Sequence, residues 1–561
     1  MEELGLRKKS RRVLVPQKVW ENFDIDVEVT DIKEVYVEEK EGIHHSLYRF
    51  NALIKDSEIA DVSFYTYEPL EKTILDSILI VPEYHRFPTK ELIDAFIRDG
   101  YRVFIVDITA SSPYPTVYPQ SLHYCVYDED NDSLYKLEKT AKETCQHIYS
   151  CVVKRAVKFI EQQFEIRDVI LLGMGTASDV AIQVVGSTNK NIKALVCLNG
   201  CGYGEMQDTT RFLGEEPYNE EKIAWLSGVS AVAYAKYIDV PVFIALGSNS
   251  SKGNVDKLEN IRSLLVEATL NYAYCPGFSD FITPRLHTSV ITWLNSLRTG
   301  AYIPENPEIA IRINKENKLY FDITCDPGLI VDQVNVFYSF DEENNQVRDW
   351  RMGKVDTVSH NEYMCAPKLL AEETKAIYAF ALVTYITGLT LNSKLLKKDI
   401  SENNKLKNNR DQEGDNTVIY QPAEGTSPFV ENYSGDILLE RTLKIAKSSK
   451  GLKGITAGEI PLKTYKLKKN VLNRESIIQI NICSPQDVDA KVTLLCTTKQ
   501  NTIEEYYTVK QIPDTSGFFY NYMFNLKEFK NKDRMSIKDT SEIKAIVIDA
   551  PNVLVGNMII L

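Results

Sequence analysis

Residues 169–178 read Val169-Ile170-Leu171-Leu172-Gly173-Met174-Gly175-Thr176-Ala177-Ser178. The apolar run followed by Gly-x-Gly predicts a buried strand that enters a sharp turn and then a helix. In an elbow of sequence Gly-x-Ser-x-Gly, such a turn is strained so that the serine hydroxyl projects from the sheet edge as a nucleophile. Here the apex falls on Gly175 and the last glycine is replaced by Ala177. The turn keeps its shape and carries no nucleophile.

Working outward, the same pattern of buried strands and amphipathic helices recurs. Asp26 to Thr66 alternates with period two, as in Val35-Tyr36-Val37-Glu38, which predicts antiparallel strands with one wet face. Ile78-Leu79-Ile80-Val81 and Tyr101 to Asp107 read as buried strands on either side of a helix over Lys90–Arg98, closed by Asp99-Gly100. Strand, helix and strand without a hairpin signal imply a right-handed parallel crossover. A long helix is expected over Lys139–Gln163, with Cys145, Ile148, Val152, Ala156 and Phe159 on one face. Strands over Ala194–Leu198, Val240–Leu246 and Leu270–Cys275 follow, with helices over Ala177–Val185, Asp256–Ala268 and Pro284–Leu297. The expected fold class is α/β, a mostly parallel sheet with helices on both faces, over residues 21–302 after a basic tail at 1–20.

Beyond Pro304 the helical period gives way to alternating stretches such as Ile309-Ala310-Ile311-Arg312-Ile313, which predict a β-sandwich over 303–398. Residues 399–416 are polar and nearly free of apolar side chains, and read as a linker. A second all-β region is expected over 417–561.

Composition narrows the class of function. The 561 residues are too many for one hydrophobic core. A net charge of -13 argues against nucleic-acid binding, which needs a dominant basic surface. No apolar run approaches the roughly 20 residues that span a bilayer, and no apolar segment of a secretory signal follows the basic Arg7–Arg12 cluster. Ten scattered cysteines without a C-x-x-C pair favour reduced thiols and a cytoplasmic location. Seven histidines without ligand spacing argue against zinc, and neither a metal nor any other cofactor is expected.

Residues 60–300 resemble the dienelactone hydrolase and acetyl-xylan-esterase-like branch of the α/β-hydrolases. The resemblance rests on Ile78-Leu79-Ile80-Val81-Pro82 leading into an oxyanion-type loop, Gly100 to Asp107, the elbow strand, Val240 to Gly247, and Tyr274-Cys275-Pro276-Gly277. It implies a nucleophile, an acid and a histidine at three loops. Gly175 stands at the nucleophile position. Ser248-Asn249-Ser250-Ser251 stands in the acid loop, with Ser250 at the acid's place. Phe278-Ser279-Asp280-Phe281 stands in the histidine loop, with Ser279 at the base's place. The oxyanion loop reads Glu83-Tyr84-His85-Arg86-Phe87, whose bulky side chains crowd a space that glycines leave open.

A displaced site would draw on His85 as base toward Thr176, Ser178 or Cys201, against a loop histidine in ordinary hydrogen bonds. Cys201, in Asn199-Gly200-Cys201-Gly202-Tyr203-Gly204, reads either as a nucleophile or as a small residue filling a tight turn. Asp107, Asp256 and Asp280 are the acids left to meet a polar ligand, with Tyr84 and His85 beside them.

The module at 303–398 looks like the immunoglobulin-like domain appended to such hydrolases, and 417–561 is similar in outline to jelly-roll carbohydrate-binding modules. In the latter, Phe518, Tyr520 and Tyr522 are candidates to stack on sugar rings, although strand alternation buries about half of any such run. The reading is a pseudo-hydrolase that binds a ligand or partner, a saccharide or glycosylated macromolecule; the alternative is a carboxylic-ester hydrolase with a relocated nucleophile and base.

Overall fold

The computed structural model describes residues 12–127, 136–137, 139–187, 190–201, 220–367, 374–400, 406, 417–467, 472–499 and 501–561. Most of the sequence-expected linker, Arg7–Arg11 of the basic cluster and Gly202–Gly204 lie outside the described residues. The chain forms two compact units. One comprises residues 1–246, 252–273 and 290–298, the other 247–251, 274–289 and 299–561.

In the first unit, helix α1 (Pro16–Val19) precedes strands β1 (Thr30–Lys40), β2 (Ile43–Lys55), β3 (Glu58–Pro69) and β4 (Asp76–Val81). Next come α2 (Lys90–Arg98), β5 (Tyr101–Val106), α3 (Cys145–Phe164), β6 (Val169–Met174), α4 (Ala177–Ser187) and β7 (Ile192–Leu198). The series closes with α5 (Glu220–Gly228), α6 (Ala231–Ala235), β8 (Val242–Gly247), α7 (Val255–Arg262), β9 (Leu270–Cys275) and α8 (Pro284–Thr299), of which Gly247, residues 274–275 and residues 284–289 and 299 are counted with the second unit. The strands form one nine-stranded sheet in the order β1-β2-β3-β5-β4-β6-β7-β8-β9. β1, β2 and β3 are antiparallel neighbours and β3 pairs antiparallel to β5. From β5 through β4, β6, β7 and β8 every pairing is parallel, so β6 lies in the middle of the parallel run. All six residues of β6 are buried, as a strand covered on both faces must be.

The long helix differs from its expected start. Ala141–Glu143 is a separate 3-10 turn opened by a Thr140/Glu143 capping box, and α3 begins at Cys145. Thr144 ends the turn and caps α3, its hydroxyl accepting from the His147 amide. Helices α5 and α6 were not expected; α5 opens on charged Glu220-Glu221-Lys222 and α6 is too short for a periodic signal.

The second unit is built from antiparallel sheets. A four-stranded and a five-stranded sheet occupy 308–399. In 417–561 a six-stranded and a five-stranded sheet share one core, Ile478, Ile480 and Ile482 from one sheet meeting Val492, Leu494, Ile546 and Ile548 from the other. All ten cysteines are free and buried. Among the described residues, no helix is long and apolar enough to cross a membrane, and no three His, Cys, Asp or Glu side chains cluster as metal ligands.

Candidate functional site

The elbow is built by close backbone approach. A Cβ on Gly173 would lie 2.7 Å from the Ser178 Cα, so only glycine lets β6 run this near the first turn of α4. Gly175 has φ +52°, the left-handed region that glycine enters without penalty. Its amide donates to the Leu198 carbonyl at 2.8 Å, and its carbonyl accepts from Ser178 N at 3.1 Å. Gly200 closes over the turn, where a Cβ would come within 2.1 Å of the Gly175 oxygen.

The space above Gly175 is filled by Glu83. This side chain comes from the loop after β4 and is only 3% exposed. A Cβ on Gly175 would lie 1.5 Å from Glu83 Oε2, so the carboxylate occupies the place where any apex side chain would begin. The carboxylate accepts the backbone N–H of Thr176 at 3.1 Å and that of Tyr84 at 3.1 Å. It also accepts the Thr176 hydroxyl and pairs with the Lys252 ammonium at 2.9 Å. An oxyanion hole is made from the N–H of the residue after the nucleophile and an N–H of the loop that follows the neighbouring strand. The N–H groups of Thr176 and Tyr84 stand at the corresponding places in the chain, and Glu83 is their acceptor.

The other sequence-predicted residues divide between the two units. Thr176 and Tyr84 meet at Glu83, as described, and the Tyr84 ring packs edge-on to Tyr149. Ser178 is fully buried and donates to the Gly173 carbonyl at 3.2 Å. Cys201 is buried with its thiol 3.7 Å from the Asn254 carbonyl. His85 is exposed, its ring 5.9 Å from that of Tyr127. In the second unit the acid and histidine loops are tied to each other: Asp280 accepts the Ser250 hydroxyl, Ser251 N at 3.0 Å and the Ser251 hydroxyl at 2.6 Å. Gly247 allows this, since a Cβ there would lie 2.2 Å from the carbonyls of Phe278 and Ser279. Ser279 is half-buried and contributes that carbonyl. Asp256 is exposed at the start of α7, its amide bonded to Asn254.

Asp107, at the end of β5, organises the loop after it. Its carboxylate accepts Ser111 N, Thr116 N and the Ser112 hydroxyl. Burial still holds its acid form above the usual carboxylate range. Lys252 is the residue sequence reasoning missed. The signal available was an acidic residue, Glu83, directly after a buried apolar strand, because a buried carboxylate demands a cation or several N–H donors.

Of the aromatic candidates in the second unit, Phe518 is 48% and Tyr520 54% exposed. Lys450 Nζ stands 5.3 Å from the Phe518 ring. Tyr522 is half-buried against the core of its sandwich.

Two kinds of comparison with other proteins return nothing: no family model and no curated protein sequence matches the chain. Solved structures do match. An acetyl xylan esterase from a Thermoanaerobacterium species is similar at 12% identity and TM-score 0.37, covering 50% of this chain and 93% of that one. An acetyl xylan esterase from a Paenibacillus species is similar at 11% identity and TM-score 0.39, covering 53% and 99%. A presumed dienelactone hydrolase from Klebsiella pneumoniae is similar at 15% identity and TM-score 0.29, covering 42% and 87%. The sheet and its elbow are α/β-hydrolase-like. That statement rests on the strand order, the parallel run centred on β6 and the strand–elbow–helix turn at Gly175.

Proposed function

We propose that this chain is a non-hydrolytic protein on an α/β-hydrolase-like platform, acting by binding a ligand or partner. One observation carries the reading. Glu83 holds the position of a nucleophile's side chain and accepts from both N–H groups of the oxyanion hole. With that carboxylate in place both N–H groups are engaged, and no open donor pair is left to offer a substrate carbonyl. Lys252 neutralises it, so the plug is stable as a charged pair rather than poised to depart. The candidate hydroxyls support the same reading, since those of Thr176 and Ser178 are donated to Glu83 and the Gly173 carbonyl.

The ligand we propose is a saccharide or a glycosylated macromolecule, met by the second unit. Support comes from Phe518 and Tyr520, two large aromatic side chains about half exposed where a small apolar residue would suffice for packing. The test has two arms. Purified protein is expected to leave p-nitrophenyl acetate at its background rate; hydrolysis that disappears in Thr176→Ala, Ser178→Ala or Cys201→Ala would overturn the non-hydrolytic reading. On a glycan array the protein is expected to show binding that weakens at least tenfold in Phe518→Ala/Tyr520→Ala. Binding unaffected by that double substitution would remove the saccharide assignment to this surface.

A further inference from the structure

Helix α3 carries an uncommon set of buried groups on one face. His147, Cys151, Lys154 and Arg155 recur at four-, three- and one-residue steps and all are buried. Lys154 is 2% exposed, and its ammonium has two contacts: the Val184 carbonyl at 3.4 Å and the face of Trp20, 4.6 Å from the ring centroid. Among the described residues no carboxylate pairs with it. His147 packs at a tilt against the same indole, ring centroids 4.7 Å apart, its Nε2 lies 3.7 Å from Cys151 Sγ, and among the described residues its buried Nδ1 has no partner.

The cover over this face is the segment around α1. Leu14 and Val19 pack with Leu137, Ala141, Ala224, Trp225 and Val229. Trp20 donates its indole N–H to Tyr234 at 3.3 Å, and Phe23 lies under the Arg155 guanidinium at 4.4 Å. Arg155 in turn holds the carbonyls of Asp24 at 2.8 Å and Val27 at 3.2 Å. The segment is thus clasped by two cations through aromatic rings and carbonyls. One clasp is satisfied by several full hydrogen bonds. The other, at Lys154, has only a long bond and a ring.

We propose that residues 14–27 are a pH-sensitive strap, which docks through Trp20 over Lys154 and opens when Lys154 carries its charge. Burying an ammonium without an anion costs more than one aromatic face returns, whereas the neutral amine rests against Trp20 at little cost. The charged neighbours reinforce this. Lys55 from β2, Lys142 from the turn before α3 and Arg155 from α3 add positive charge around the face. Asp24 of the strap acts on Arg155, and Cys151 and Tyr234 are held neutral by burial. Burial accordingly draws Lys154 down to about 7, within reach of ordinary pH changes, while His147 falls to about 3 and stays neutral there.

The sign follows from linkage. Opening returns Lys154 to water and its ordinary value of 10.5, so the open form holds more protons between about 7 and 10.5 and docking strengthens as pH rises through that window. The experiment is hydrogen exchange of the Lys18, Val19, Trp20 and Phe23 amides, which donate to carbonyls within the segment, corrected for intrinsic rates. For a single proton released from about 7 in the docked form, protection is expected to rise roughly fiftyfold from pH 7 to 9 and under twofold from pH 6 to 7. Lys154→Met should give high protection that no longer changes with pH, and Lys154→Arg, permanently charged, low protection that does not change either. His147→Asn should keep the wild-type slope from pH 7 to 9. A flat profile in the wild type, or an unchanged slope in either Lys154 variant, would overturn the proposal, and the wild-type profile decides even if a variant does not fold.

Discussion

Placing a serine at the apex of the elbow is the most direct challenge to the plugged site. In Gly175→Ser the new Cβ lies 1.5 Å from Glu83 Oε2, so the carboxylate must leave. That strips Lys252 of its partner and frees the N–H groups of Thr176 and Tyr84. Breaking a buried pair costs about 3–5 kcal/mol; Lys252 retains some access to water, which places this case near 3. A left-handed φ adds about 1–2 kcal/mol for a residue with a Cβ. The single substitution should therefore destabilise the first unit by about 4–5 kcal/mol. Glu83→Ala alone breaks the same pair and should also cost about 3 kcal/mol. In that background Gly175→Ser keeps only its backbone term, so the double variant should lie near 4–5 kcal/mol and the coupling near 3 kcal/mol. Urea unfolding, followed by exchange protection of β6 and α4 amides so that the first unit is read separately, measures all four corners of the cycle. Costs that add to within about 0.5 kcal/mol would refute the claim that Glu83 holds the apex position.

Three further outcomes follow from the same geometry. Glu83→Ala should acquire a site for small carboxylates at the vacated donors, seen as saturable thermal stabilisation by acetate, with about 2.7 kcal/mol gained at a hundredfold excess over Kd; chloride at equal ionic strength should not reproduce it, and the wild type should not respond. Gly173→Ala places a methyl 2.7 Å from the Ser178 Cα, a backbone contact that cannot turn aside, and should cost about 2–3 kcal/mol in the same urea assay. Asp107 binds its proton more tightly folded than unfolded, so its contribution to stability should rise as pH falls through the folded value toward the unfolded one; Asp107→Asn should flatten that part of the stability–pH profile measured by denaturation.

Much of this architecture is legible in the chain because it depends on local pattern. Runs such as Ile78–Val81 and Val169–Leu172, short, apolar and bounded by polar or turn residues, read as strands covered on both faces, and the Gly173-Met174-Gly175 turn follows the second of them into a helix. The α3 start was less legible: Lys139 to Glu143 continues a helical composition, and only Thr140 and Thr144, acting as successive caps, divide a 3-10 turn from the helix. Short α6 was invisible for the opposite reason, having too few residues to show a period.

By itself, then, the sequence determined that β6 ends in a tight elbow without a nucleophile, since glycine at 175 has no side chain wherever the rest of the chain goes. What occupies that vacancy was decided by tertiary structure. Glu83 precedes the elbow by 93 residues in the hydrogen bond to Thr176, and Lys252 comes from beyond β8. No local preference connects an acid in one loop to a lysine in another. They meet because the parallel run brings the loops after β4 and β6 to the same sheet edge, where a buried carboxylate is stable only with donors and a cation at hand. The same holds at the Trp20 face of α3, where the spacing of His147, Cys151 and Lys154 is written in the chain, but that Lys154 meets the Trp20 ring, and no acid among the described residues, exists only in three dimensions.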